Sequence, residues 1–335
     1  MDLETFMTTV YVLVDDWYKE QIADLKPKVG APAHLSDSEV LTLALVGQWR
    51  VGVPWQSERG LVRYIHAHGL RMFPKMLHYS AFNQRVRYLL GVLVRLQQQI
   101  ADWLGQMQAL YECVDSLPLP AGTSGQYSRE KGHWLWNSRI GKGPHAWLWG
   151  DRWLVSVTPT GAITGWLVGS ADINDRWLME GFLSARCGQP QLVQPPRNPR
   201  LPRRLAATPP VGFMGGWCAC GSSAQRPYLA DGNFNGNYWR QHWHDLYGSD
   251  VITIPSHNNH HPFSPAWKHW LRHLRQPIET AFAFLDTVFD VKHLQAHSRW
   301  GQFTRLAAKS AAYNLGLFIN QSLGRPLGAL GTLIC

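Results

Sequence analysis

The sequence predicts an α/β protein: a mixed five-stranded sheet flanked by helices, preceded by an all-α N-terminal domain. Three observations carry this. Two short apolar runs, Leu110-Tyr111-Glu112-Cys113-Val114-Asp115-Ser116 and Pro227-Tyr228-Leu229-Ala230-Asp231-Gly232, each end on an aspartate and then turn. Between them, residues 145–168 alternate in polarity and reverse at Pro159-Thr160-Gly161, as a hairpin does. Residues 1–108, by contrast, space their apolar side chains at helical intervals.

The helical region divides at its breakers. Phe6, Val10, Leu13, Trp17 and Ile22 form one apolar stripe over residues 3–25, which Pro27 and Pro32 end. Ser36-Asp37-Ser38-Glu39 is a capping box, in which Ser36 and Glu39 satisfy each other's helix-start donors. The helix it opens runs through Leu41, Leu45 and Trp49 and stops near Gly52. A third helix is expected after Ser57, with a break near Pro74, and a long one over residues 80–106. Short helices joined by tight turns can lay one helix in a DNA major groove. They serve equally as a structural cap, and no helix here is clearly basic on one face.

Past residue 108 the pattern changes. Leu117-Pro118-Leu119-Pro120 breaks the first apolar run, and a Gly- and Ser-rich loop covers 121–133. Residues 145–158 read as a strand and Ala162 to Val168 as its return. Asn174-Asp175 caps a helix through Leu183. Residues 188–227 are rich in Pro and Gly and carry Arg197, Arg200, Arg203 and Arg204, which reads as an insertion whose arginines are solvated. The sheet resumes at 227–231, followed by a helix over 237–247 and a strand over 250–254 closed by Pro255. Residues 264–290 are helical, with Pro277 suited to a first turn, and the last helix covers 300–323. The domains expected are thus 1–108, then 109–187 and 228–335 as two halves of one catalytic domain around the 188–227 insertion.

Composition bounds the function. With 335 residues, 45% hydrophobic content and 17 Trp, the chain can bury a large core. No apolar run approaches the roughly 20 residues that span a bilayer. Met1-Asp2-Leu3-Glu4 is acidic, unlike a secretory signal, so a cytoplasmic protein without a membrane partner is expected. The five cysteines fit no disulfide framework, and Cys218-Ala219-Cys220 lacks the second pair of a zinc site. His257, His260 and His261 sit in a loop with neighbouring Asn and read as solvated rather than as a metal site. The net charge is +9 and unevenly spread: residues 1–110 hold 11 Lys and Arg against 10 Asp and Glu, the remainder 21 against 13. A net of +8 after residue 110 points to a polyanionic partner, of which nucleic acid is the usual one.

Three carboxylates then stand out: Asp115 and Asp231, each closing a strand, and Glu279 on a downstream helix. An Asp opening a turn explains either strand end alone; the repeated pattern is what raises the pair. The element order, strand–hairpin–helix then strand–helix–strand–helix, matches an RNase H-like fold.

Several stretches resemble the DDE transposases of bacterial insertion sequences, in the branch with a compact helical N-terminal domain. They are Leu35-Ser36-Asp37-Ser38-Glu39-Val40-Leu41-Thr42-Leu43, Tyr79-Ser80-Ala81-Phe82-Asn83, Val114-Asp115-Ser116 followed by Pro118, Ala230-Asp231-Gly232, and Arg275-Gln276-Pro277-Ile278-Glu279-Thr280. The resemblance implies that Asp115, Asp231 and Glu279 are catalytic and hold two Mg²⁺ or Mn²⁺ ions. It implies DNA as partner, cut at transposon ends and joined to a target by a homo-oligomer. Two hard cations about 4 Å apart can activate a hydroxyl and stabilise the leaving oxygen of an in-line phosphoryl displacement, and oxygen ligands suit Mg²⁺.

The family's third motif is Tyr-x2-Arg-x3-Glu-x6-Lys. Arg275 and Glu279 keep its spacing, while Arg272 stands at the Tyr position and Asp286 at the Lys position. Arg275, Arg272, Lys292 and Arg152 are the expected DNA contacts. The missing Lys and the 188–227 insertion depart from the pattern. They leave open a DNA-binding protein of transposase descent that has lost cleavage, and a metal-dependent nuclease without strand transfer.

Overall fold

The structure is a computed structural model that describes residues 1–25, 33–69, 71–122, 138–143, 147–187, 226–254, 264–296 and 298–335. Cys218, Cys220, His257, His260, His261, the 121–133 loop past Gly122 and the 188–227 insertion up to residue 225 lie outside the described residues. The chain forms two compact units, Met1–Gln106 with Thr280–Cys335, and Met107–Glu279.

The first unit holds α1 (Leu3–Gln21), α2 (Asp37–Val46), α3 (Glu58–Tyr64), α4 (Tyr79–Tyr88), α5 (Leu90–Trp103) and α9 (Arg299–Ser322). The capping box at Ser36 forms as expected: Ser36 N donates to Glu39 Oε2 at 2.6 Å and Glu39 N to Ser36 Oγ at 3.2 Å. The helix expected over 80–106 is two helices, broken at Leu89, whose N–H still reaches Arg85 O and Val86 O. Trp49 is fully buried, edge-on to Phe6 at 4.9 Å and to Phe289 at 4.8 Å. A stripe of small residues, Ala307, Ala308, Ala311 and Ala312, lets α9 bury itself among α2, α4 and α5. That packing corrects the expected division: residues 280–335 belong with the N-terminal helices, not with the sheet. A polar centre sits inside this unit. Buried Glu58 accepts from Gln48 Nε2 at 3.3 Å, Asn83 Nδ2 at 3.4 Å and Arg305 Nη2 at 3.3 Å, and fully buried Lys309 donates to Phe289 O.

Among the described residues the second unit holds a mixed sheet of six strands, not the five expected: β1 (Glu112–Gly122), β2 (Arg139–Lys142), β3 (Trp147–Val157), β4 (Ile163–Ser170), β5 (Tyr228–Ala230) and β6 (Val251–Thr253). The order is β2-β3-β1-β5-β6, with β4 also paired to β3. β3 runs antiparallel to β1, β2 and β4, whereas β1, β5 and β6 are parallel. The additional strand has a simple cause. β3 is 11 residues long and β4 pairs only from Asp151 onward, so the first residues of β3 take β2 instead. Four residues, one of them glycine, carry no alternation from which β2 could be read.

Side chains of β1 alternate between two helix layers. Glu112, Val114 and Ser116 face α6 (Asp175–Arg186): Glu112 meets Arg186, Val114 joins the core with Leu178 and Phe182, and Ser116 meets Asp175. Cys113 and Asp115 face α8 (Pro265–Thr287), where Cys113 Sγ lies 3.1 Å from Leu274 O and Asp115 meets Arg275. This is the period of two inherent to a pleated strand. On the α6 side, Glu112 Oε2 accepts from Arg186 Nη1 at 2.6 Å, from Thr164 Oγ1 at 2.8 Å and from Ser156 Oγ. Glu180 on α6 accepts from Trp243 Nε1 at 2.9 Å and Tyr247 Oη at 2.6 Å, tying in α7 (Asn237–Tyr247). Polar groups so buried cost several kcal/mol unless paired, and these pairs join α6 to β1, β3, β4 and α7.

Candidate active site

The site begins with strand register. β1 and β5 are parallel neighbours in which Val114 pairs with Ala230, so Asp115 and Asp231 follow the paired residues side by side. Apolar packing fixes this. Val114 and Ala230 point into the same core beneath α6, which turns the next residue of each strand to the opposite face. The side chains of Asp115 and Asp231 remain 27% and 44% accessible, so both carboxylates open to water.

From that face α8 supplies a cation. Arg275 Nη2 donates to Asp115 Oδ2 at 2.9 Å, and Arg275 Nη1 lies 3.8 Å from Asp231 Oδ1. Arg275 itself is 6% exposed, and its buried Nε has no hydrogen-bond partner among the described residues. Asp115 Oδ1 accepts the backbone N–H of Ser116 at 2.8 Å. Burial pushes the Asp115 carboxyl up from 3.8 to about 6; Arg275 and the Ser116 N–H oppose this, while Asp231 and Asp175 add to it.

α8 is continuous through Pro277, which stands inside the helix and not in a first turn. Arg275 and Glu279 therefore sit one turn apart on one face, and Lys268 and Arg272 continue the same stripe toward the N-terminus. Arg272 and Glu279 are exposed. Among the described residues, no three His, Cys, Asp or Glu side chains gather closely enough to hold a metal ion. Asp115 lies within β1, which does not end at the Asp as expected but stays paired to β3 through Pro118 and Pro120 to Gly122; only Asp231 follows the end of its strand. Their register brings Asp115 and Asp231 together with Arg275, and Glu279 stands on the helix that delivers Arg275.

Two expected DNA contacts are engaged elsewhere. Arg152 on β3 pairs with Asp175, Nη1 to Oδ1 at 3.1 Å, and its Nε donates to Ala171 O at 3.2 Å. Ser116 Oγ donates to the same Asp175 Oδ1 at 2.6 Å, so Asp175 closes a polar cluster on the α6 side of the sheet rim. Sequence reasoning took Asp175 only as part of a helix cap; its contact with a strand 59 residues earlier has no local signal. Lys292, in the first unit, pairs with Asp286 at 2.5 Å, the residue that stands where the family pattern has Lys.

The donor set suits a hard cation. Two carboxylates converge on one place, and a guanidinium already stands there as their counter-cation. What the arrangement can do chemically is hold positive charge between neighbouring strands β1 and β5, beside a helix stripe able to meet phosphate. Compared with protein-family models, curated proteins and solved structures, the chain matches none of them.

Proposed function

We propose that the chain is a DDE transposase, which cuts DNA at the ends of a mobile element and joins the freed 3′-hydroxyl to a target. The observation that carries this reading is the Asp115–Asp231 pair on neighbouring parallel strands, Asp115 within β1 and Asp231 just past β5, closed by Arg275 from the helix that bears Glu279. The strand order supports it: with β2 set aside, β4-β3-β1-β5-β6 with β3 alone reversed is the order of an RNase H-like sheet. The net charge of +9 fits a nucleic-acid partner.

In this reading Asp115 and Asp231 would hold Mg²⁺ or Mn²⁺, and Glu279, which does not gather with them among the described residues, would join as the third carboxylate once cations and DNA are bound. Divalent cations bound there supply Lewis acidity for in-line phosphoryl displacement. The chain's own residues do the rest. The Ser116 N–H fixes Asp115 Oδ1, and Arg275 holds Oδ2 toward Asp231. Arg275, Arg272 and Lys268 offer positive charge to backbone phosphates along one helix face, which positions DNA without reading sequence.

A second reading, a DNA-binding protein of transposase descent without cleavage, draws on one observation: the position of the family's second cation is Asp286, bound to Lys292. Incubation of supercoiled plasmid with Mg²⁺ or Mn²⁺ separates the two. The transposase reading expects nicked and linear product with wild type and none with Asp231→Asn. Tight DNA binding with no product under either metal would favour the second.

A further inference from the structure

Arg275 is more deeply buried than either carboxylate it meets, yet its own pairing is incomplete. One Nη is in hydrogen-bond range of Asp115, the other stands 3.8 Å from Asp231, and the buried Nε has no partner among the described residues. A guanidinium has five donors in a planar fork suited to phosphate as well as to carboxylate. Here most of that fork is unspent. The same group lies against both carboxylates, so a second cation cannot be added between them without like-charge repulsion.

We propose that Arg275 is a resident counter-cation of the Asp115–Asp231 pair, which a DNA backbone phosphate draws away, so that DNA binding and divalent-cation loading are positively linked. This rests on the transposase reading, in which the pair is the metal site. Arg275 is then placed to sense substrate: it holds the carboxylates neutralised while the protein is free and turns toward phosphate when DNA lies along the Lys268–Arg272 stripe. The device would restrain metal-dependent chemistry in the absence of DNA. Linkage makes the effect reciprocal: whatever factor DNA adds to metal affinity, metal adds to DNA affinity.

The test is calorimetric titration of the full chain with Mn²⁺, alone and with a saturating short DNA duplex of arbitrary sequence at low salt. The expected result is a Mn²⁺ affinity raised by DNA within the roughly 5- to 150-fold range usual for such coupling. Arg275→Gln should bind Mn²⁺ tightly without DNA and gain little from it. Asp115→Asn and Asp231→Asn report on the reading beneath: each should weaken Mn²⁺ binding with and without DNA. If neither does, the metal site is misassigned. If both do, but DNA leaves the wild-type Mn²⁺ affinity unchanged, the linkage is overturned while the metal site stands. The wild-type comparison needs no substitution, so a poorly folded variant cannot hide the linkage result, and circular dichroism of the two Asn variants confirms that any lost Mn²⁺ binding is not lost folding.

Discussion

Asp115 stands 160 residues before Arg275 and accepts a hydrogen bond from it at 2.9 Å. The contact is possible because Asp115 sits on the face of β1 turned away from α6, while Arg275 lies on the buried side of α8. Asp231, brought alongside by parallel pairing of β1 and β5, comes under the same guanidinium. The candidate site is therefore a property of strand pairing and helix facing, and its consequences can be measured.

Acidification should weaken cation binding at this pair. Burial lifts the Asp115 carboxyl to about 6, so below that pH it is protonated and presents no charge. Mn²⁺ affinity should fall as pH drops through about 6, and Asp115→Asn should bind weakly with a flatter profile. The stability effect has the opposite sense. The folded carboxyl binds its proton more tightly than the unfolded one with its ordinary 3.8, so this group's contribution falls as pH rises between those values. Calorimetric Mn²⁺ titrations on both sides of pH 6 test the first statement, and Asp115→Asn denaturation midpoints over the same range test the second.

The Glu112–Arg186 pair should show the penalty of a half-removed buried ion pair. Glu112 and Arg186 side chains are 0% and 2% exposed; Ser156 and Thr164 donate to Glu112, Tyr228 accepts from Arg186, and Arg226 lies 3.9 Å from the second Glu112 oxygen. Arg186→Met should cost about 3–5 kcal/mol, because it strands a buried carboxylate. Adding Glu112→Met should recover part of that loss, as hydrophobic replacement of both partners often does. Urea denaturation of the two single variants and the double variant gives the coupling. A double variant as unstable as the sum of the singles would contradict the account.

Lys309 should make the helical unit respond to alkaline pH. Burial, with the nearby charge of Arg50 adding, pushes its ammonium down from 10.5 to about 7. Between those values the unfolded chain holds more protons than the folded one, so stability rises with pH across that window. Lys309→Met should flatten this dependence, at the loss of the hydrogen bond to Phe289 O. Denaturation midpoints at pH 7 and above, for wild type and variant, check the slope; parallel slopes would mean the group is not buried as described.

Much of this was legible in the chain. Asp115 and Asp231 each follow buried apolar residues, whose burial is what turns them outward; the expected turn comes after Asp231, whereas β1 runs on through Pro118 and Pro120. The capping box at Ser36 and the cap at Asn174 form as their residue types predict. Arg275 was visible only by its spacing from Glu279; its closure on both aspartates depends on which face of α8 meets the sheet. Ser116, Asp175 and Arg152 meet across three elements, and no local pattern marks such a cluster. The same limit hid the grouping of residues 280–335 with the first helices. Helical periodicity gives the apolar face of α9 but not the helices that cover it.

The central claim is that carboxylates of this site hold the cations for cleavage while cationic side chains hold the DNA. Glu279→Gln separates these roles, since the amide keeps the size and one carbonyl oxygen but loses the charge. The decisive measurement sets a gel-based cleavage assay beside a binding titration, both at one salt concentration, for wild type and Glu279→Gln. The account predicts cleavage by wild type, loss of cleavage in the variant and nearly unchanged binding. Cleavage by Glu279→Gln at the wild-type rate would contradict it and remove Glu279 from the site.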